Sequence, residues 1–448
     1  MDPARPDIAL VSLGCPKNLV DSECMSGILE GEGYRLVPDP DDADVIVVNT
    51  CGFIESAKRE AIDTILAMAD RKAPAGRCRF LVVAGCLAQR YPQEILDDLP
   101  EVDAVLGTSA YGRIAEAVRR LEADPTRFSD CGRGDATAHL GARRRASTGG
   151  YAYLKVAEGC SNRCAYCAIP DIRGPFVSRP IDELLSEARR LVADGSDELV
   201  LVAQDTTRYG LDLSGIRLLP DLIRALAAID GVRLLRILYA YPDGVDDVLL
   251  DEMARNPKVA RYLDIPVQHA SDDVLRRMNR RGGRAEILAT LDALRARVPG
   301  IVLRSTLLVG FPGETEEDYE ELLSFVDAAR FDRLGAFVFS PEEGTPAATM
   351  KPKVPKRTAE RRLRGVMERQ LRVSREKGME ALGTERLVRI ESVDEDGVFY
   401  LGRSEGEAPE IDPPIHVVGT AGPLAFGQLV RVRIVDAGDH ELTGATVE

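Results

Sequence analysis

Three cysteines stand at Cys160-x3-Cys164-x2-Cys167, close enough along the chain for their thiolates to converge on one metal centre. Zinc knuckles normally pair C-x2-4-C units and supply four protein ligands. No fourth Cys or His stands locally here. A 4Fe–4S cluster held by three thiolates keeps one iron open, and an open iron can bind a substrate or cofactor directly, unlike a four-thiolate electron carrier. The spacing points to a catalytic cluster. A structural zinc site, or an incidental group of cysteines, is the plain alternative.

A second set is dispersed. Cys15, Cys51 and Cys86 each follow a short apolar run (8–13, 45–49 and 80–84). If those runs are parallel strands, all three cysteines lie on the carboxyl edge of one sheet, where such sheets build their sites. Gly14, Gly52 and Gly85 flank them and allow tight bends. Three more thiolates could hold a second cluster there; buried inert cysteines are the alternative. Cys24, Cys78 and Cys131 have no such setting and receive no role.

The elements that must position these residues read clearly. From 6 to 123, continuous β-branched runs, the fourth at 102–106, alternate with amphipathic stretches at 19–30, 54–69 and 87–99, the pattern of a small doubly wound, flavodoxin-like α/β domain. Residues 124–149, rich in Gly and Arg, read as a linker that includes Arg143-Arg-Arg145 and Ser147-Thr148. From 150 to 377 six further βα units follow, with strands expected at 153–157, 198–203, 234–240, 263–267, 302–309 and 335–339. They form an open parallel sheet or a partial barrel with chemistry at the strands' C-terminal ends. Eleven Lys/Arg between Lys351 and Lys377 accompany Leu363, Met367 and Leu371 at helical spacing, so a solvated connecting helix is expected there. Residues 378–448 alternate short β runs with turns, as a small all-β, OB-like barrel does.

Composition bounds the partners. The 448 residues are 45% hydrophobic and 29% charged, with a net charge of -15. Such a chain folds, and as a whole it repels a phosphate backbone. Nine cysteines, an odd and sparse count, suit a reducing compartment. No stretch is long enough to span a membrane. Leu13-Gly14-Cys15 looks like a lipoprotein cleavage site, but the apolar run before it is too short for a signal core. A cytoplasmic protein is expected. Between Glu380 and Glu448 fourteen acids face five bases, leaving -9 on the C-terminal module.

The Cys160/Cys164/Cys167 motif resembles the signature of the radical S-adenosylmethionine (SAM) superfamily, whose core is a (β/α)6 partial TIM barrel. Leu13-Gly-Cys15-Pro-Lys-Asn-Leu-Val-Asp-Ser-Glu23, Val48-Asn-Thr-Cys51-Gly-Phe-Ile54 and Ala84-Gly-Cys86-Leu87 resemble the methylthiotransferase N-terminal domain, and the acidic β module looks like a TRAM domain. Pro16-Lys17-Asn18, with 263–271 and 309–315, is similar to the branch that methylthiolates an aspartate of protein twelve of the small ribosomal subunit. The sister branch modifies adenine in tRNA.

The resemblance implies two 4Fe–4S clusters, one on Cys160, Cys164 and Cys167 that cleaves SAM to a 5′-deoxyadenosyl radical, and one on Cys15, Cys51 and Cys86 that delivers sulfur. An unactivated aspartate β-carbon requires a cofactor to attack its C–H bond. An external electron donor and sulfur source are implied as partners. Gln204, Asp205, Gln268, His269, Arg304 with Ser305, and Gly310 to Glu314 are the candidates for positioning SAM. Each has a plainer reading: Gly310 to Glu314 as a strand-to-helix turn, His269 as a structural histidine, Gln204 and Arg304 as barrel packing. The -9 module favours a basic ribosomal protein over tRNA, so nucleic acid is not expected to dominate. A zinc-binding or redox-sensing adaptor is the reading of another class.

Overall fold

The computed structural model describes residues 5–447 apart from 73, 75, 136, 138, 142, 147, 148 and 421, so Ser147 and Thr148 of the expected linker lie outside the described residues. The first sheet is built of β1 (Asp7–Ser12), β2 (Arg35–Leu36), β3 (Val45–Thr50), β4 (Phe80–Gly85), β5 (Ala104–Leu106) and β6 (Phe128–Asp130). They pair in the order β2-β1-β3-β4-β5-β6, parallel throughout. Every residue of β3 and β4 is buried. Val45 and Val47 join the core on one face and Ile46 and Val48 the core on the other, which is why these runs are continuous rather than alternating. Each such side chain contributes about 1.5–3 kcal/mol by leaving water.

β6 lies within the stretch expected as a linker and completes this sheet. The stretch expected as one helix over 87–99 is two, Cys86–Arg90 and Pro92–Asp98. Tyr91 precedes a proline, which disfavours the helical backbone at that residue.

The central sheet contains β7 (Tyr151–Lys155), a short hairpin of β8 (Ala157–Glu158) and β9 (Val177–Ser178) beside it, then β10 (Glu198–Val202), β11 (Leu234–Ile237), β12 (Val259–Asp264), β13 (Val302–Val309) and β14 (Arg333–Val338). The six long strands are parallel in sequential order from β7 to β14, and β7 and β14 do not pair with each other. This is an open partial barrel. Its outer layer of helices, for example Ile181–Ala193 and Glu316–Ala329, packs in one large apolar core.

The C-terminal module is a closed barrel of β15 (Glu385–Val393), β16 (Tyr400–Arg403), β17 (Ile415–Val418), β18 (Leu429–Ala437) and β19 (Leu442–Thr446), closed by the β17–β19 pair. The basic segment forms a helix over Lys356–Ala381, but it is not simply solvated. Ala359, Val366 and Val373 are buried, and most of its bases are paired: Arg361 and Arg362 with Glu316, Arg369 and Arg372 with Asp327, Lys377 with Asp332 and Arg375 with Asp439. Like charges spaced along a helix repel, so each acid on the neighbouring elements sets how the helix lies.

The interior of the partial barrel is filled by its two neighbours. Val20 and Cys24, from the helix Pro16–Gly31, and Ala408, from the loop after β16, share one buried cluster with Tyr153, Val200, Leu238 and Tyr262. Asp412 of that loop accepts from Tyr262 at 2.7 Å and pairs with Arg304 at 3.0 Å.

Candidate cluster sites at the domain junction

Cys15, Cys51 and Cys86 follow β1, β3 and β4, three adjacent strands, and emerge on one sheet edge. Their loops abut. A Cβ on Gly14 would come 2.9 Å from Cys51 Cβ, and one on Gly52 would come 2.7 Å from the Leu87 nitrogen, so glycine is required at both places. Cys15 also occupies the N-cap position of the helix Pro16–Gly31, without a side-chain capping bond. Burial opposes ionisation of Cys15, but the Lys17 and Arg173 cations and the Asn18 and Lys17 backbone N–H groups together hold its thiol below the ordinary range. Burial and the neighbouring Cys86 push Cys51 up to about 11, and burial raises Cys86.

Cys160, Cys164 and Cys167 lie on the loop that follows β7 and β8. Gly159 adopts φ +71°, and a Cβ there would lie 2.0 Å from the Pro175 carbonyl oxygen. The loop is pinned by Cys160 N–H to Gly174 O, Cys167 N–H to Cys164 O and Ala165 N–H to Met278 O, all between 2.9 and 3.0 Å. Asn279 Nδ2 donates to Arg163 O at 2.8 Å. Tyr241 Oη lies 3.6 Å from Cys164 Sγ, and Arg280 stacks on the Tyr241 ring at 4.1 Å. Burial drives the Cys160 thiol up to about 11 and Cys167 further in the same direction.

The two sets meet across the domain junction. Cys86 packs directly on Ala168 and Ile172, just past Cys167, and Thr108 Oγ1 donates to Ile172 O at 2.9 Å. Asp21, Lys155, Glu158 and Arg173 form a fully buried ionic cluster below them, with Arg173 Nη1 3.0 Å from both Asp21 and Glu158, and His139 Nε2 2.8 Å from Asp21. Burial would raise Asp21 and Glu158, yet the Lys155 and Arg173 cations outweigh it and hold both low. On the far side Arg90 and Lys58 pair with the buried Glu342, which follows β14.

The other sequence candidates fall into two groups. Asp205 Oδ2 accepts from Asn162, inside the cysteine loop, at 2.7 Å, and burial raises its carboxyl. Gln204 is half-buried at the mouth. Gln268 takes φ +71° and bridges to Leu307 on β13, at the same barrel end. His269 accepts from Ser271 N–H at Nδ1, which leaves the proton on Nε2, an atom with no hydrogen-bond partner among the described residues and 3.8 Å from Glu314. Burial pushes its imidazole down to about 3, so it is neutral.

By contrast, Glu314 is engaged in the turn itself: its carboxylate accepts from Gly310 N–H at 2.6 Å and Phe311 N–H at 3.1 Å and pairs with Arg362 at 2.8 Å. Gly310 has φ +76°, and a Cβ there would strike Ala359 at 2.5 Å. Arg304 bridges Asp264 and Asp412, tying the barrel wall to the C-terminal module, while Ser305 Oγ donates to Ile265 O at 2.8 Å. Sequence reading missed Lys17, Asp21, Lys155, Glu158 and Arg173. The one available signal was the charge of Lys17, Asp21 and Glu23 inside an otherwise buried helix.

The donor sets fit iron–sulfur clusters. Each offers three thiols from buried or half-buried cysteines on tight loops, and cations stand beside each: Lys17 and Arg173 at the first, Arg280 at the second, 4.0 Å from Cys164 Sγ. These offset the negative charge of a thiolate cluster. Among the described residues no three His, Cys, Asp or Glu side chains, those of the two cysteine sets included, are gathered around the position of a single ion.

Comparison with known proteins agrees with this architecture. Residues 154–326 match the radical SAM superfamily, 7–107 the uncharacterized protein family UPF0004 and 382–447 the TRAM domain. Among solved structures, the radical SAM methyltransferase TsrM from Kitasatospora setae shares the fold at a TM-score of 0.58 and 16% identity, over 76% of each chain. The radical SAM enzyme OxsB aligns at 0.55 and 13% identity, over 81% of this chain and 56% of its own. The protein is thus a radical SAM enzyme, a class that uses SAM and 4Fe–4S clusters. It is 49% identical, over all of both chains, to ribosomal protein uS12 methylthiotransferase RimO of Geobacter sulfurreducens, and 50% identical to that of Geotalea uraniireducens over 99% of each. The chain belongs to the family of ribosomal protein uS12 methylthiotransferases. Among its described residues no helix is long and apolar enough to cross a membrane.

Proposed function

We propose that this chain adds a methylthio group to the β-carbon of an aspartate in ribosomal protein uS12. Cys160, Cys164 and Cys167 hold the cluster that binds SAM, and Cys15, Cys51 and Cys86 hold the second. The observation that carries the reading is the contact of Cys86 with Ala168 and Ile172, which sets one cysteine edge against the other at the mouth of the barrel. When bound, the clusters supply the electron that splits SAM and the sulfur that is transferred.

The chain's own residues then have distinct tasks. Arg173 and Lys155, locked on Asp21 and Glu158, hold the two cysteine edges in register. Asp205 braces the cysteine loop through Asn162. Gln204 and Gln268 remain at the mouth for SAM, whereas the buried His269, facing Glu314, belongs with Glu314 and Gly310 to the turn beneath it, and Arg304 fixes the C-terminal module. The functional division is 6–123, with β6 of the following stretch completing its sheet, for the second cluster, 150–377 for radical formation and 378–448 for the substrate, the rest of 124–149 joining the first two.

Glu407 and Asp412 face inward to core arginines; Glu395, Asp396, Asp436 and Glu441 remain exposed, an acidic surface suited to a basic ribosomal protein. The electron donor and sulfur source are external, and the compartment is the reducing cytoplasm. Purified enzyme with SAM, reductant and sulfide, offered uS12 and tRNA together, tests this by mass spectrometry. A methylthio group on uS12 is expected; methylthiolated tRNA with unmodified uS12 overturns it.

A further inference from the structure

A buried ammonium sits at the junction of the two cysteine sets. Lys17 is 4% exposed, two residues past Cys15, and its Nζ lies 3.3 Å from the centroid of the Tyr239 ring. Among the described residues no Asp or Glu comes within the 4.0 Å that defines an ion pair with it. Burying a charge in this way is costly unless a counter-charge arrives. Tyr239 is itself held for the purpose. It takes φ +61°, rare for a non-glycine residue, with its N–H on Asp264 at 3.1 Å and its carbonyl accepting from Thr206 N–H at 3.0 Å.

Four of the other cations around the mouth are engaged, whereas Arg208, close to Cys160 and Asp205, has no ion pair among the described residues. Lys155 and Arg173 are saturated by Asp21 and Glu158. Arg280 donates to Pro266 O and stacks on Tyr241. Arg304 is paired with Asp412. Unlike those four, Lys17 has no carboxylate or carbonyl partner among the described residues. It projects from the first turn of the helix Pro16–Gly31, just after Cys15, onto Tyr239, two residues past β11, and so stands between the first cysteine set and the barrel.

The function proposed above requires the β-carbon of an aspartate to be brought between the two cysteine sets, desolvated, with its carboxylate one bond from the reacting carbon. Resting on that reading, we propose that the Lys17 ammonium, steadied on the Tyr239 ring, is the receptor for the carboxylate of the target aspartate. It is a specificity-determining residue: it holds the β-carbon between the cysteine sets, and it offers an adenine base no matching charge. SAM also carries a carboxylate, so the test separates the two sources.

The assay uses the anaerobically reconstituted full-length enzyme with SAM. Affinity is measured for uS12 and for uS12 with its target aspartate changed to asparagine. Wild type is expected to prefer the aspartate form by about thirtyfold. Lys17→Gln should lose that preference while keeping its iron content and its affinity for SAM, and Lys17→Arg, which also keeps the positive charge beside Cys15, should restore the preference. A Lys17→Gln enzyme that still discriminates overturns the inference. So does one that loses SAM affinity, which makes the bound carboxylate that of SAM, or one that loses the Cys15/Cys51/Cys86 iron, which makes Lys17 a counter-charge to the cluster and nothing more. In each of these cases wild type still modifies uS12. A wild type that does not modify uS12 overturns the proposed function, and this inference with it.

Discussion

Asp21 and Lys155 form an ion pair in which neither side chain is exposed, although one belongs to the helix after Cys15 and the other to the first strand of the partial barrel. Arg173 and Glu158 complete a buried quartet that links the two cysteine sets. Removing one member leaves uncompensated charge in a low dielectric. Arg173→Met should therefore lower stability by about 3–5 kcal/mol, measured by urea denaturation of the apo-protein. A loss below about 1 kcal/mol would show that water reaches the quartet.

The cysteine sets should be separable by metal analysis. Wild type should carry about eight irons, and replacing Cys15, Cys51 or Cys86 with alanine should remove about four while the other cluster stays. Replacing Cys160, Cys164 or Cys167 should remove the other four and abolish reductive cleavage of SAM. Loss of all eight irons from any single replacement would mean one shared centre.

Gly159→Ala places a Cβ against the Pro175 carbonyl and asks a non-glycine residue to keep φ +71°. The expected cost is about 2–4 kcal/mol, concentrated in the cysteine loop. The variant should lose the Cys160/Cys164/Cys167 iron and retain the other cluster. Full iron occupancy would show that the loop re-forms by another path.

Glu198, at the start of β10, pairs with Arg236 and with Arg403 of the C-terminal barrel. Burial would raise its carboxyl, but the two guanidiniums outweigh it and hold it at about 2 against an ordinary 4.5. Because the folded value is the lower one, its contribution is complete above pH 4.5 and disappears as pH falls towards 2, about 3 kcal/mol in all. Glu198→Gln should flatten this part of the acid unfolding curve, followed by far-ultraviolet circular dichroism between pH 5 and 2; an unchanged acid limb would contradict the pairing.

What the sequence made legible follows from how far apart the cooperating residues stand. Cys160, Cys164 and Cys167 lie within one loop, and Cys15, Cys51 and Cys86 each announce themselves at a strand end, so local patterns found both sets. The strands and the helices Ile181–Ala193 and Glu316–Ala329 were legible for the same reason. Lys155 and Asp21 are 134 positions apart, and Arg173 and Asp21 152, so no local pattern could pair them. The short strands β2, β6 and β19 owe their existence to neighbours rather than to their own few residues. The basic helix was misjudged because the acids that neutralise it, Glu316, Asp327 and Asp332, lie on other elements.

The loop at 404–412 has a consequence for how such enzymes diverge. Ala408 and Asp412 enter the interior of the partial barrel, so the C-terminal module also fills part of the barrel's core. A lineage that exchanged this module for one with other binding preferences would have to inherit a loop that seats against Tyr262 and Arg304 at the same time. New partners are therefore more readily acquired by changing the outer surface of the small barrel in place than by trading the barrel whole.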